Sequence, residues 1–175
     1  MNYSNTYHRR AGFTLLELLV TVSILAILMG LIVPMYGNMK KNARIASDKV
    51  TAKNLETAFR AYLDHYSTWP SCVNDSEKKI EGDIYKMLSG EASTANPNPD
   101  KIVFYEFSNT NAGDKAVDAF WGLGENDNEH VFRVKFDHNY DNVINHKNNV
   151  IRRPVIVWSV GPDGTNDTSD DITSW

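Results

Sequence analysis

The chain has 175 residues, with 18 Lys+Arg against 22 Asp+Glu and a formal net charge of −4, an acidity that argues against a nucleic-acid-binding surface. Cys72 is the only cysteine, so an intramolecular disulfide is excluded and the fold must be stabilised by its core or by a metal. The first predicted element is an apolar helix. Arg9-Arg10-Ala11-Gly12-Phe13-Thr14-Leu15-Leu16-Glu17-Leu18 sets a short basic leader against a long apolar run, and no residue from Leu18 to Met39 is charged. That length suffices to cross a bilayer hydrocarbon core. Glu17 stands out, because an ionisable group at the embedded end of such a helix costs roughly 3 kcal/mol or more and reads as functional. A plain anchor accounts for the length but not for Gly12-Phe13 or Glu17. A secretory signal peptide has a shorter apolar core and a small-x-small cleavage site, whereas Gly30-Leu31-Ile32-Val33-Pro34-Met35 offers none. Arg9 and Arg10 before the run and Lys40, Lys41 and Arg44 after it leave the positive-inside bias near balance.

On Gly12, Phe13, Thr14, Leu15, Leu16 and Glu17 the chain resembles the type IV pilin and type II secretion pseudopilin family, whose leader ends in Gly followed by Phe-Thr-Leu-hydrophobic-Glu and a long apolar helix. The resemblance implies that prepilin peptidase cuts between Gly12 and Phe13 on the cytoplasmic side and that the new Phe13 amine is N-methylated. It also implies that Glu17 aligns each subunit with its neighbour's N-terminus during assembly. Pro34 falls where the helices of this family often carry a Pro kink. The physics agrees: a Phe13 ammonium and a Glu17 carboxylate in one apolar layer are tolerable only as a pair. Loss of residues 1–12 removes Arg9 and Arg10 and no acid, so the mature chain is more acidic still.

Beyond Met39 the pattern becomes amphipathic. Ile45, Ala52, Leu55, Phe59, Tyr62 and Tyr66 recur at spacings of three, four and seven, one face of a helix, with Asp48, Lys49, Lys53, Glu56 and Arg60 expected mostly in solvent. Trp69-Pro70 ends that helix. The boundaries expected are a leader at 1–12, a transmembrane and assembly helix at 13–39, its amphipathic continuation at 40–66 and a globular head at 67–175. The head has roughly 110 residues, enough for one small core.

Ser71–Asp100 is rich in loop formers, with a short helical turn expected at Asp83–Leu88 that faces Ile84, Met87 and Leu88 inward. Three strands are expected after it: Ile102–Phe107, His130–Phe136, where Arg133 and Lys135 alternate with Phe132, Val134 and Phe136, and the nearly continuous apolar run Val155–Val160. Strands clustered after one long helix argue for an α+β fold with a small antiparallel sheet, which is also the pilin-like architecture that the resemblance implies. Phe120-Trp121-Gly122 partly resembles the Asp-Pro-Trp-Gly stretch of many major pseudopilins, and Trp121 is expected in the core.

The C-terminal segment Val160-Gly161-Pro162-Asp163-Gly164-Thr165-Asn166-Asp167-Thr168-Ser169-Asp170-Asp171-Ile172-Thr173-Ser174-Trp175 sets four aspartates among turn formers. An oxygen-rich, turn-rich loop suits a hard cation such as calcium, and the absence of Cys and His excludes a soft-metal site. Composition fits a solvated acidic tail equally well, although Trp175 points to a loop folded back and pinned. Gly161-Pro162-Asp163-Gly164 and Asp170-Asp171-Ile172-Thr173-Ser174-Trp175 resemble the two ends of the calcium loop of the major pseudopilin. That resemblance implies ligands from the side chains of Asp163, Asp170 and Asp171 and from the backbone oxygens of Val160 and Thr168. Asp137-His138-Asn139-Tyr140-Asp141 begins like an EF-hand loop, but Asn142 replaces the Gly and Asn148 the closing Glu, so a turn with Asx hydrogen bonds is expected.

Hydrolase, P-loop, zincin and dinucleotide motifs are absent, and His8, His65, His130, His138 and His146 are scattered without a compact ligand spacing. The expected role is therefore structural and not enzymatic. The resemblance implies a bacterial inner-membrane, single-pass subunit with a periplasmic head that polymerises into a pseudopilus. Its partners would be copies of itself, other pseudopilins, prepilin peptidase and the inner-membrane secretion assembly platform, with no nucleic acid, and its cofactor calcium. The alternatives are a minor pilin or type IV pilus subunit and a membrane-anchored calcium- or ligand-binding module that never polymerises. The calcium-like tail and the lack of a terminal Cys pair favour the secretion branch.

Overall fold

The computed structural model describes residues 13–95, 97–108, 112–123 and 127–175, without the side chains of 33–35. Gly12 and the rest of the expected leader lie outside the described residues. The chain divides at Lys40 into two units.

Helix α1 (Leu15–Tyr66) begins in the first unit. Its stretch Leu15–Ile32 is long and apolar enough to cross a membrane, and none of it is buried. The hydroxyls within that stretch are satisfied by the helix itself: Thr21 Oγ1 donates to the Leu18 carbonyl at 2.8 Å and Ser23 Oγ to the Leu19 carbonyl at 2.7 Å. Internal bonding of this kind lets polar side chains sit in a lipid-facing helix without an open donor.

In the second unit the expected stripe of α1 is the core face. Ala52, Leu55, Phe59 and Tyr62 are buried, and the helix ends at Tyr66, where Ser67 takes a positive φ of 57° ahead of Trp69-Pro70. A four-stranded antiparallel sheet packs against it. Its order is β1 (Lys78–Lys79), β2 (Arg133–Phe136), β5 (Val155–Ser159) and β6 (Ile172–Thr173), with Arg133 opposite Trp158 and Ser159 opposite Ile172. Strands β3 (Ile144–His146) and β4 (Asn149–Ile151) form a separate hairpin, and α2 (Asp83–Ser89) buries Ile84, Met87 and Leu88 as expected, with Tyr85 as well.

All five residues of β5 are buried because both faces of the sheet are covered. On one face Val155 and Val157 join Leu55, Phe59, Val134 and Phe136, with Phe59 edge-on to Phe136 at 5.1 Å between ring centroids. On the other face Ile156 and Trp158 meet Ile144 and Ile151 of the hairpin, with Trp175 packed alongside.

Three expectations are corrected. Ile102–Phe107 forms no strand: the Phe104 and Tyr105 N–H groups both donate to the Leu88 carbonyl, and the aromatic rings of the segment pack on the core cluster. Its aromatic composition serves packing and not pairing. Asp48 and Glu56 are buried, not solvated. Glu56 Oε1 takes Arg60 at 2.6 Å and Arg153 at 2.7 Å, so a partner 97 residues away draws it in. Trp121 is only partly buried, and its neighbour Phe120 fills the core position.

The helix N-terminus and the C-terminal acidic loop

At the start of α1, Thr14 and Glu17 bond reciprocally. The Thr14 N–H and Oγ1 each donate to Glu17 Oε2 at 2.9 Å, and the Glu17 N–H donates back to Thr14 Oγ1 at 3.1 Å. This is a capping box, which satisfies donors that a helix N-terminus otherwise leaves open. The pattern Thr-x-x-Glu is legible in the sequence, which suggested only an assembly role for Glu17. Phe13 is 81% exposed, and large apolar side chains remain exposed along the helix to Met39.

The C-terminal loop leaves the buried end of β5 through Val160 and a 3-10 turn at Gly161–Asp163. Gly161 has φ +70°, and a Cβ there would stand 2.2 Å from the Asp170 carbonyl oxygen, so the two ends of the loop close only over glycine. The Asp163 N–H donates to Asp170 Oδ2 at 3.3 Å, and Thr168 Oγ1 donates to Asp170 Oδ1 at 2.7 Å. Asp171 Oδ1 lies 3.3 Å from the same Thr168 hydroxyl, and its Oδ2 accepts from Lys147 Nζ at 2.8 Å. Among the described residues no group of three or more His, Cys, Asp or Glu side chains converges on a metal-sized point. Asp163 and Asp170 therefore meet through a backbone N–H donor, while Asp171 is engaged by an ammonium.

The loop is anchored on both sides. Trp158 Nε1 donates to Asn166 Oδ1 at 3.0 Å, and the Asn166 amide donates to Glu77 Oε1 at 3.1 Å. After it, the Ser174 N–H bonds the Val157 carbonyl at 2.9 Å, and the Trp175 ring lies 5.5 Å from that of His146 and 6.1 Å from that of Trp158. Burial, with the Lys147 charge adding to it, holds the His146 imidazole below its ordinary pKa. His146 thus packs its ring against two indoles.

A buried polar network, invisible to sequence spacing, joins α1 to the loop's entrance. Asp118 accepts the Ser159 hydroxyl, the Phe120 N–H at 2.9 Å and His130 Nδ1 at 3.2 Å, and Ser159 Oγ in turn accepts the Gly161 N–H at 3.1 Å. The neighbouring Ala119 N–H donates to Asp48 Oδ1 at 2.8 Å. Asp137–Asp141 is the expected turn: the Asn142 N–H donates to Asp137 Oδ2 at 2.6 Å and the Val143 N–H to Asp141 Oδ1 at 2.8 Å, with Tyr140 and Asn142 at positive φ.

Residues 7–33 match the family described as the prokaryotic N-terminal methylation motif. The chain is 40% identical over 63 residues to the competence protein ComGC of Halalkalibacterium halodurans, a match that spans 34% of this chain and 59% of that protein, less than two thirds of its length. It is 28% identical over 172 residues to the type II secretion system core protein G of Escherichia coli, across 95% of this chain and 92% of that protein. No solved structure matches.

Proposed function

We propose that this chain, which belongs to the pilin and pseudopilin family, is a structural subunit of a type II secretion pseudopilus. The observation that carries the reading is the N-terminal constellation: a prepilin-type motif with Glu17 fifth after the expected cut, followed by a helix whose stretch Leu15–Ile32 is apolar and unburied in the single chain. The end-to-end similarity to a secretion core protein supports the secretion branch over a pilus. A competence-type pilus subunit is the second reading, favoured by the higher identity to ComGC over the shorter match.

In this scheme prepilin peptidase cuts between Gly12 and Phe13, the Phe13 amine is methylated, and the subunit waits in the inner membrane as a single-pass protein with its head in the periplasm. Assembly replaces lipid around the apolar helix with neighbouring helices. An incoming Phe13 ammonium then meets the Glu17 carboxylate of a subunit already in place, which removes two unpaired charges from the apolar layer. The role of the chain is mechanical, and catalysis has no part in it. Calcium would be held in the C-terminal loop by Asp163, Asp170 and Asp171 with the backbone oxygens of Val160 and Thr168, the Lys147 ammonium being displaced from Asp171. Bound there, a divalent ion would supply the positive charge that offsets adjacent carboxylates.

The test is mass spectrometry of the chain produced together with a prepilin peptidase. The expected product begins at N-methylated Phe13. A product that keeps Met1–Gly12, or that is cut elsewhere, would contradict the reading.

A further inference from the structure

Beside α1 the second unit holds a cavity of about 210 Å³. Its apolar lining comes from Leu55, from Phe132 and from the rings of Tyr105 and Phe107. Two carboxylates, Asp48 and Asp118, also line it. Asp118 is fully occupied: Oδ1 accepts the Phe120 N–H, and Oδ2 accepts the Ser159 hydroxyl and His130 Nδ1. Asp48 is not. It is 2% exposed, its Oδ1 accepts the Ala119 N–H at 2.8 Å, and its buried Oδ2 meets no donor among the described residues. The nearby cations are engaged elsewhere. Lys115 lines the cavity, but its ammonium donates to Asn128 Oδ1 at 3.1 Å, and the Arg44 guanidinium lies over the Phe120 ring, 5.9 Å from its centroid.

A buried carboxylate oxygen without a donor is costly, and the cavity has room for a group that would relieve it. We propose that this cavity binds a primary ammonium on a short aliphatic chain, whose N–H groups bond Asp48 Oδ2 while its methylenes lie against Leu55, Phe132 and the rings of Tyr105 and Phe107. Charge selects the class. Two carboxylates repel an anion, and a neutral donor would bond Oδ2 but leave the buried charge uncompensated. Aromatic rings lining the same cavity favour a cation further. A lysine side chain has this chemistry, so the ammonium comes either from a free alkylamine or from a lysine of a second copy of the chain. The site itself is built within one chain and does not require polymerisation.

The probe is n-butylammonium chloride, whose cation has the shape of a lysine side chain. It is titrated at pH 8 into the full chain in detergent, at constant ionic strength, and followed by the NMR shift of the Ala119 amide and by thermal unfolding. Asp48 is ionised at that pH, since burial raises its pKa only to about 7. The wild type is expected to bind the probe about ten-fold or more tightly than it binds n-butanol, and about ten-fold or more tightly than Asp48→Asn binds the probe. The melting temperature of the wild type should rise with the probe while that of Asp48→Asn stays put. No binding to the wild type, equal binding to Asp48→Asn, or equal binding of the alcohol would overturn the proposal. Dilution without the probe separates the sources once the titration is positive. An Ala119 shift that grows with protein concentration and is lost in Asp48→Asn assigns the ammonium to a second copy, and a shift independent of concentration assigns it to a free amine.

Discussion

Asp48 has one carboxylate oxygen bonded to the Ala119 N–H and another that meets no donor among the described residues. It is 2% exposed. Burial pushes its pKa from 3.8 up to about 7, with the Asp118 charge adding to the rise and the Ala119 N–H and Arg44 opposing it. Because the folded-state value lies above the unfolded one, the folded chain holds a proton that the unfolded chain releases. The contribution of Asp48 to stability is therefore complete below pH 4 and is lost as pH rises through 7. Asp48→Asn removes the titration and is expected to stabilise the protein by about 1–3 kcal/mol at pH 8, with the difference shrinking toward pH 4. Urea unfolding across that range measures it; a pH-independent difference, or a less stable variant at pH 8, would contradict the assignment. Glu17 is the opposite case, a carboxylate whose own helix already supplies two donors. Its assembly role must then be separated from its capping role, and Gln serves for that because it also completes a capping box.

At the scale of elements, β5 organises the head. Its odd and even residues feed two cores, one shared with α1 and one with the β3–β4 hairpin and Trp175, and the acidic loop leaves directly from its end. Gly161→Ala is expected to cost about 2 kcal/mol or more, since the added methyl meets the Asp170 carbonyl at 2.2 Å on a backbone of φ +70°. Near-ultraviolet circular dichroism of Trp158 and Trp175 should weaken with it; an unchanged spectrum and an unchanged urea midpoint would show that the loop closes without glycine. Local pattern announced what local chemistry decides: the α1 stripe, the stop at Trp69-Pro70, α2, and strands β2 and β5. Distant partners decided the rest. Asp48 and Glu56 are drawn inward by Ala119 and Arg153, 71 and 97 residues away, and no helical spacing predicts that. Ile102–Phe107 has the composition of a strand and the surroundings of a packing segment, because its rings find Tyr62, Tyr66 and Tyr85 while its N–H groups find the end of α2. The hairpin strands β3 and β4 are three residues each, too short for alternation to show. The acidic loop was legible as a group of oxygens, but Lys147 enters it from another element.

For the whole molecule the governing fact is an imbalance. The second unit buries two apolar clusters, while the large apolar side chains described in the first unit, from Phe13 to Ile32 and at Tyr36 and Met39, remain exposed. Lipid can cover that surface before assembly and neighbouring helices after it, and both coverings fit the proposed subunit. A membrane-anchored binding module would need the lipid alone. Crosslinking in the membrane distinguishes the two, with single cysteines placed in pairs between residues 13 and 39 in a Cys72→Ser background, in wild-type and Glu17→Gln chains. A ladder of self-crosslinked multimers is expected that depends on cleavage after Gly12 and collapses in Glu17→Gln, where the cap is kept and the charge is gone. Monomers alone in the wild type, or an undiminished ladder in Glu17→Gln, would contradict assembly through the paired Phe13 and Glu17 charges.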